Sequence, residues 1–296
     1  MIAYALGKGS ASAMHIISVD GSGDHVPTPV GQIADLPAFS ADGQRLAYVA
    51  GEPKQVFVTH DNLGNAQQLT KDAPTEAHPS KRLVAFSPDS RRIAYVDSRL
   101  AGNTIFVVDA AGGTPKQLVG PLKGRPPFPS VRVVFAPDGQ AVVYDAFVKE
   151  SNGRNEFETN AVRTGATETL RLPVPDNAVG RTEDFRGVPA QLQYSRDGSK
   201  IVYQLSVRSC SALFIADANF SNPRKLVELA DTGGGYIAPS FSPDGSQIAY
   251  AETLFDIGGQ AIFVVNADGS GQHQVTKPKA GEYDISPSWG YAARRN

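Results

Sequence analysis

Cysteine is nearly absent from this 296-residue chain, where Cys210 stands alone. A single thiol excludes an internal disulfide framework and a multi-cysteine zinc site. Arg208 lies close enough in sequence to lower its pKa, but no paired base accompanies it, so a buried, inert thiol is expected. Long apolar runs are also missing. None approaches the roughly 20 residues that cross a bilayer, and the N-terminus lacks the basic-then-apolar pattern of a signal peptide. Met1-Ile2-Ala3-Tyr4 already reads as the start of a strand, which suggests that a natural leader has been removed. Charge of one sign is lacking too. Lys plus Arg number 28 against 30 Asp plus Glu, a formal charge of −2, which excludes a global field drawing the chain to nucleic acid. No Gly-x-Ser-x-Gly elbow, Gly-x-x-x-x-Gly-Lys phosphate loop or His-Glu-x-x-His zinc helix occurs.

What is present is turn chemistry and repetition. The 29 Gly and 21 Pro are scattered through the chain, as many short connections require. An aromatic residue, a tight polar turn and an apolar strand recur five times, beginning at Phe39, Phe86, Phe135, Tyr194 and Phe241. The strands begin at Leu46, Ile93, Val142, Ile201 and Ile248, seven residues after the aromatic in each copy. Successive aromatics are 47, 49, 59 and 47 residues apart, the length of a four-stranded propeller blade. Asp-Gly at 42–43, 138–139, 197–198 and 244–245 supplies the turns, because Asp bonds its own backbone and Gly accepts positive φ.

A sixth aromatic, Trp289, follows Pro287-Ser288 as Phe241 follows Pro239-Ser240, yet the chain stops seven residues later, where the partner strand should begin. Ile2-Ala3-Tyr4 supplies that partner. The expected fold is therefore all-β: residues 1–296 form a single six-bladed β-propeller of four-stranded antiparallel blades, closed by pairing of the N- and C-terminal strands in one blade.

The aromatic followed by Ser-Pro-Asp-Gly and Ile-Ala-Tyr, as in Phe241 to Tyr250, resembles the TolB-type (WD40-like) propeller repeat, and so does Tyr283-Asp284-Ile285-Ser286-Pro287-Ser288-Trp289. The likeness covers essentially the whole chain, although TolB's own N-terminal α/β domain has no counterpart here. It implies an extracytoplasmic, periplasmic setting in a bacterium. Function is left to the site, since such repeats occur in TolB, in peptidase propellers and in some polysaccharide lyases.

With Asp-Gly turns on one face, the longer and more variable loops between second and third strands, and between fourth and first, fall on the other, where function is expected. Counting the blade that holds the chain's two ends as the first, the fourth blade, entered at Phe135, is the most elaborated, with a charged loop from Asp145 to Glu156 and a long one from Pro173 to Pro189. Cys210 is expected in such a loop of the fifth. Residues leading into the innermost strands are placed near one channel mouth as ligand-binding candidates: Asp35, Glu76, His78, Arg125, Asp184, Arg186, Tyr236 and Asp284. Asp35, Asp184 and Asp284 offer oxygen ligands for Ca²⁺, but acidic residues at strand starts more often bond nearby backbone, so no cofactor or metal is assigned. His78 has no second His at a ligand-like spacing, and reads first as a surface or capping residue. Arg125 and Arg186 suit a bidentate carboxylate, or else pair with local acids.

The leading expectation is a monomeric, non-enzymatic propeller that recognises a protein, peptide or glycan, with no nucleic-acid partner and no membrane insertion. The alternative is a lyase or hydrolase acting on acidic carbohydrate, with His78, Tyr236 and Arg186 as base, acid and charge neutraliser.

Overall fold

A computed structural model describes residues 1–8, 11–27, 34–60, 63–71, 80–99, 102–122, 132–151, 154–165, 169–171, 190–207, 210–229 and 238–291. Among them the regular elements are all β-strands. The chain starts with β1 (Ile2–Lys8) and β2 (Ala11–Ile17). Four antiparallel four-stranded sheets follow. The first is β3 (Ala34–Phe39), β4 (Leu46–Ala50), β5 (Gln55–His60) and β6 (Gly64–Gln68), and the second β7 (Ser80–Phe86), β8 (Arg92–Arg99), β9 (Gly102–Asp109) and β10 (Lys116–Leu122). The third is β11 (Val133–Phe135), β12 (Ala141–Ser151), β13 (Arg154–Arg163) and β14 (Thr169–Arg171), and the fourth β15 (Ala190–Tyr194), β16 (Lys200–Val207), β17 (Cys210–Asp217) and β18 (Arg224–Leu229). β19 (Ser240–Phe241), β20 (Gln247–Leu254), β21 (Gly259–Asn266) and β22 (His273–Gln274) make a fifth unit, joined by one bridge, Gln260 to Tyr283, to β23 (Tyr283–Trp289).

β23 runs antiparallel to β1, with Ile2 opposite Trp289 and Ala3 opposite Ser288, so the two ends of the chain share one sheet as the repeat requires. The turn after each inner strand is built by one device. Ser40 Oγ accepts the Arg45 N–H at 3.0 Å and donates to Asp42 Oδ1, which in turn accepts the Gln44 N–H. Ser87 with Asp89, Ser195 with Asp197 and Ser242 with Asp244 repeat it. Hydrogen bonding to the ionised form holds the Asp89, Asp197 and Asp244 carboxyls below their ordinary range, Asp197 down to about 2. In the second sheet Ser90 replaces the turn glycine and carries the left-handed φ of 58° itself.

Second and third strands are tied by stacked cross-strand rings: Tyr48 on Phe57, Tyr95 on Phe106, Tyr203 on Phe214 and Tyr250 on Phe263, at 5.5 to 6.0 Å. Apolar clusters then fill the spaces between successive sheets. Val49 and Val56 of the first meet Ile93 and Val108 of the second, and Ala3 and Met14 meet Leu46 and Tyr48. Hydrogen bonds cross the same seams. Arg92 reaches the Gly139 carbonyl at 2.7 Å, the Gln191 N–H donates to Asp145 at 3.2 Å, and Gln191 Oε1 accepts from the Ala238 N–H at 2.5 Å. Ser240 Oγ accepts from Trp289 N–H at 3.0 Å, Ser288 Oγ from Phe39 N–H at 2.9 Å, and Arg45 donates to the Ser90 carbonyl.

Inner strands carry a feature that the repeat does not announce. Leu36, Leu83, Gln191, Ala238 and Ser286, each three residues before its strand's aromatic, all have left-handed φ between 41° and 56°. Register shifts fall beside these residues in four of the strands, the mark of a bulge that turns the strand and re-aims its side chains.

Two loop expectations are corrected. Asp145 to Glu156 is mostly strand: β12 and β13 pair from Ala141 opposite Arg163 out to Ser151 opposite Arg154, so the polar residues extend a hairpin. Cys210 is the first residue of β17 and pairs with Val207, so it belongs to the antiparallel β16–β17 ladder.

Candidate functional site in the central cavity

β3, β7, β11, β15, β19 and β23 converge on one cavity of about 290 Å³. Each contributes its aromatic, from Phe39 and Phe86 through Tyr194 to Trp289, and the lining continues onto turn residues such as Ser40, Pro88, Pro137 and Pro243. The cavity therefore reaches the turn-bearing ends of the inner strands, the face the repeat marks as structural.

At that end Tyr291 lies across the lining. Its ring packs so tightly against Gly43 that a Cβ there would sit 2.6 Å from Cδ2. From the fourth sheet, Arg196 donates to the Tyr291 hydroxyl and stacks over its ring at 5.0 Å. One aromatic side chain thus bridges the first and fourth sheets while remaining 44% exposed.

Deeper in, Arg132 stands at the position that Leu36, Leu83, Gln191, Ala238 and Ser286 occupy elsewhere. It is half-buried and belongs to the cavity lining. Desolvation pushes its pKa down to about 10, and the Asp145 carboxylate pulls the other way. Asp145 is itself pushed up to about 7 by burial, against the opposing effects of the Gln191 N–H, the Arg132 charge and the Thr159 hydroxyl. Gln193 is also a lining residue, and its Oε1 is buried without a hydrogen-bond partner. Arg132, Gln193, Arg196 and Tyr291 are the functional candidates that residue-type reasoning passed over. The signal was available for Arg132, as the only charged residue among the six at its repeat position.

Of the eight candidates named from sequence, Glu76, His78, Arg125, Asp184, Arg186 and Tyr236 lie outside the described residues, as does the 173–189 loop. Asp35 is in β3 opposite Val49. Asp284 is 1% exposed, faces Leu6 across the β1–β23 pair and is not in the cavity lining. Burial pushes it up to about 6, while the Thr276 hydroxyl bond and His15 oppose and Asp24 and Glu282 add to the rise; Oδ1 has no partner. Close by, Asp24 Oδ1 accepts from Tyr4 at 3.1 Å and contacts His15 Nδ1 at 3.0 Å. In β7 the equivalent of Asp284 is Lys81, buried in an ion pair with Asp97 at 2.7 Å. Among the described residues, no group of three or more His, Cys, Asp or Glu is arranged to hold a metal ion, and no helix is long and apolar enough to cross a membrane.

Antiparallel four-stranded sheets whose first strands meet around one cavity define the β-propeller class. No family model matches the chain. Its fold is that of TolB-type and other β-propellers. TolB from Acinetobacter baumannii superposes with a TM-score of 0.74 at 20% identity, over 98% of this chain and 66% of that one, so the chain spans about two thirds of that protein's length. A putative TolB from Agrobacterium tumefaciens gives 0.65 at 15% identity, over 96% and 98%. A chain of a nidogen/laminin complex gives 0.64 at 12%, over 97% and 98%.

Proposed function

We propose that residues 1–296 form one monomeric, six-bladed ring, closed in the β23–β1–β2 blade, which binds a protein, peptide or glycan at the mouth of its central cavity and carries out no chemistry on it. The observation that carries this reading is one cavity to which every described sheet contributes an inner strand. The seam bonds from Arg45, Arg92, Asp145, Gln191, Ser240 and Ser288 support the ring, because they link consecutive sheets through to the terminal pair. Arg196 and Tyr291 at the mouth are residue types over-represented at binding hot spots. A chain of similar fold comes from a nidogen/laminin complex, which supports a protein partner. An extracytoplasmic bacterial setting is part of the same proposal and rests on the TolB-type likeness.

The test is capture of partners from a native extract by the wild type and by an Arg196→Ala/Tyr291→Ala variant of matched stability. A partner retained by the first and lost by the second is expected; identical profiles would remove the mouth from consideration. A second variant with the 173–189 loop shortened separates the mouth from the opposite face.

A further inference from the structure

The turn-side rim of the cavity takes one residue from each inner strand, two positions after its aromatic: Ala41, Pro88, Pro137, Arg196, Pro243 and Tyr291. Four of these are alanine or proline, too short to reach beyond the neighbouring turn. Pro137 packs against Gly198 of the next sheet, and a Cβ on Gly139 would lie 3.6 Å from Pro88 Cδ. Tyr291 makes the same kind of contact, on Gly43 of the first sheet, but is long enough to go further. Its hydroxyl accepts from Arg196 of the fourth sheet, whose guanidinium lies over the ring at 5.0 Å. In the proposed ring the first and fourth sheets stand opposite each other, so the two long side chains form a bar across the mouth.

The bar occupies a cation with a weak partner. Among the described residues the Tyr291 hydroxyl is the one acceptor bonded to the Arg196 side chain, and no carboxylate pairs with it. A phenol is a neutral acceptor that meets one arm of the guanidinium, whereas a carboxylate meets two and makes bonds roughly twice as strong. Both members of the pair are exposed, so parting them uncovers no core.

Deepening the binding reading above, on which it rests, we propose that the Arg196–Tyr291 bar is an autoinhibitory contact released by an acidic side chain of the partner protein. The incoming carboxylate takes Arg196 from the phenol, and Tyr291 then swings off the mouth and opens the cavity. Arg196 is the recognising group, and Tyr291 holds its place until the partner arrives. One hydrogen bond and one exposed cation–π contact favour the closed form by roughly five- to fiftyfold. Apparent affinity falls by the same factor, because a site binds in proportion to the fraction of time it is open.

Calorimetric titration of the full chain with a tetraglutamate peptide blocked at both ends tests this. Wild type should bind it weakly but saturably, and Tyr291→Ala about five- to fiftyfold more tightly. Tyr291→Phe, which keeps the ring and loses the acceptor, should fall between the two and serves if the alanine variant does not fold. Adding Arg196→Ala to Tyr291→Ala should weaken binding at least about tenfold. As tetraglutamate saturates the wild type, the Tyr291 ring signals, assigned in NMR spectra by their loss in Tyr291→Ala, should move towards those of a solvated tyrosine. Binding by Tyr291→Ala no tighter than by wild type makes Tyr291 a contact and not a block, and overturns the proposal. Undiminished binding in the double variant, or no saturable binding by any form, overturns it too. Equal binding of tetraglutamine with a free C-terminus would assign Arg196 to a chain terminus and overturn it likewise. The binding reading is judged separately: if Tyr291→Ala gains nothing while the double variant still loses its native partner, that reading stands and the autoinhibition fails.

Discussion

Asp284→Asn isolates the buried acid beside the terminal strand pair. Asparagine keeps the shape and an acceptor for the Thr276 hydroxyl but does not titrate. Burial lifts the folded-state pKa of Asp284 from its ordinary 3.8 to about 6. Between those values the folded chain binds more protons than the unfolded one. The group's contribution to stability is thus fully present below about pH 4 and is lost as the pH rises through about 6. Roughly two pKa units at about 1.4 kcal/mol each bound the change at about 3 kcal/mol. Urea unfolding at intervals from pH 4 to pH 8 measures it: the two proteins should be nearly equal at pH 4, and the variant should be more stable by about 2–3 kcal/mol at pH 8. Parallel curves for wild type and variant would show that Asp284 ionises without cost, and the reasoning from burial would fail.

Asp145, pushed up to about 7, acts with the same sign, whereas the turn aspartates exemplified by Asp197, held down to about 2, contribute stability above their unfolded pKa that is lost on acidification. Wild-type stability should therefore peak between about pH 4 and pH 6, as measured by the urea midpoint across pH; a maximum at pH 8 would contradict both assignments. Gly290→Ala should cost about 1–3 kcal/mol, because a Cβ there would lie 2.6 Å from the Phe39 ring; differential scanning calorimetry measures the loss. Ser288→Ala strands the buried Phe39 N–H and should cost a similar 1–3 kcal/mol, roughly, by urea unfolding. Ser90→Gly should raise the thermal midpoint, since a left-handed φ costs a non-glycine residue about 1 kcal/mol; a lowered midpoint would mean that the serine's bond from Asp42 outweighs the strain.

The parts of the fold governed by local chemistry were legible. The Ser-x-Asp turns work because a hydroxyl and a carboxylate two residues apart satisfy the backbone that follows, and such residues announce themselves in sequence. The β1–β23 pairing was legible because Trp289 lacked a partner that Ile2-Ala3-Tyr4 matched. The left-handed inner-strand residues were not, since Leu36, Leu83 and Gln191 carry no intrinsic preference for positive φ and are placed there by the strands around them. Charged stretches such as 145–156 read as loop because polarity suggests solvent, while a hairpin arm can be polar and still paired. The candidate site was the least legible part. Six of the eight candidates at the entries to the innermost strands lie outside the described residues, and the lining residues Arg132 and Gln193 sit inside strand-like segments where side chains are normally credited to packing.

The left-handed kink has a consequence for how this chain can be edited. It falls at one fixed distance from the aromatic in five inner strands, so the stretch from kink to turn behaves as an interchangeable cassette. Transplanting Leu83 to Ser90 in place of Leu36 to Gly43 preserves the phase of every side chain, whereas deleting one residue between kink and aromatic turns the next side chain from the cavity into the neighbouring sheet. Length variation is consequently confined to the segments before the kink and beyond the second strand, which lets one sheet change its loops without disturbing the wall it shares with the others.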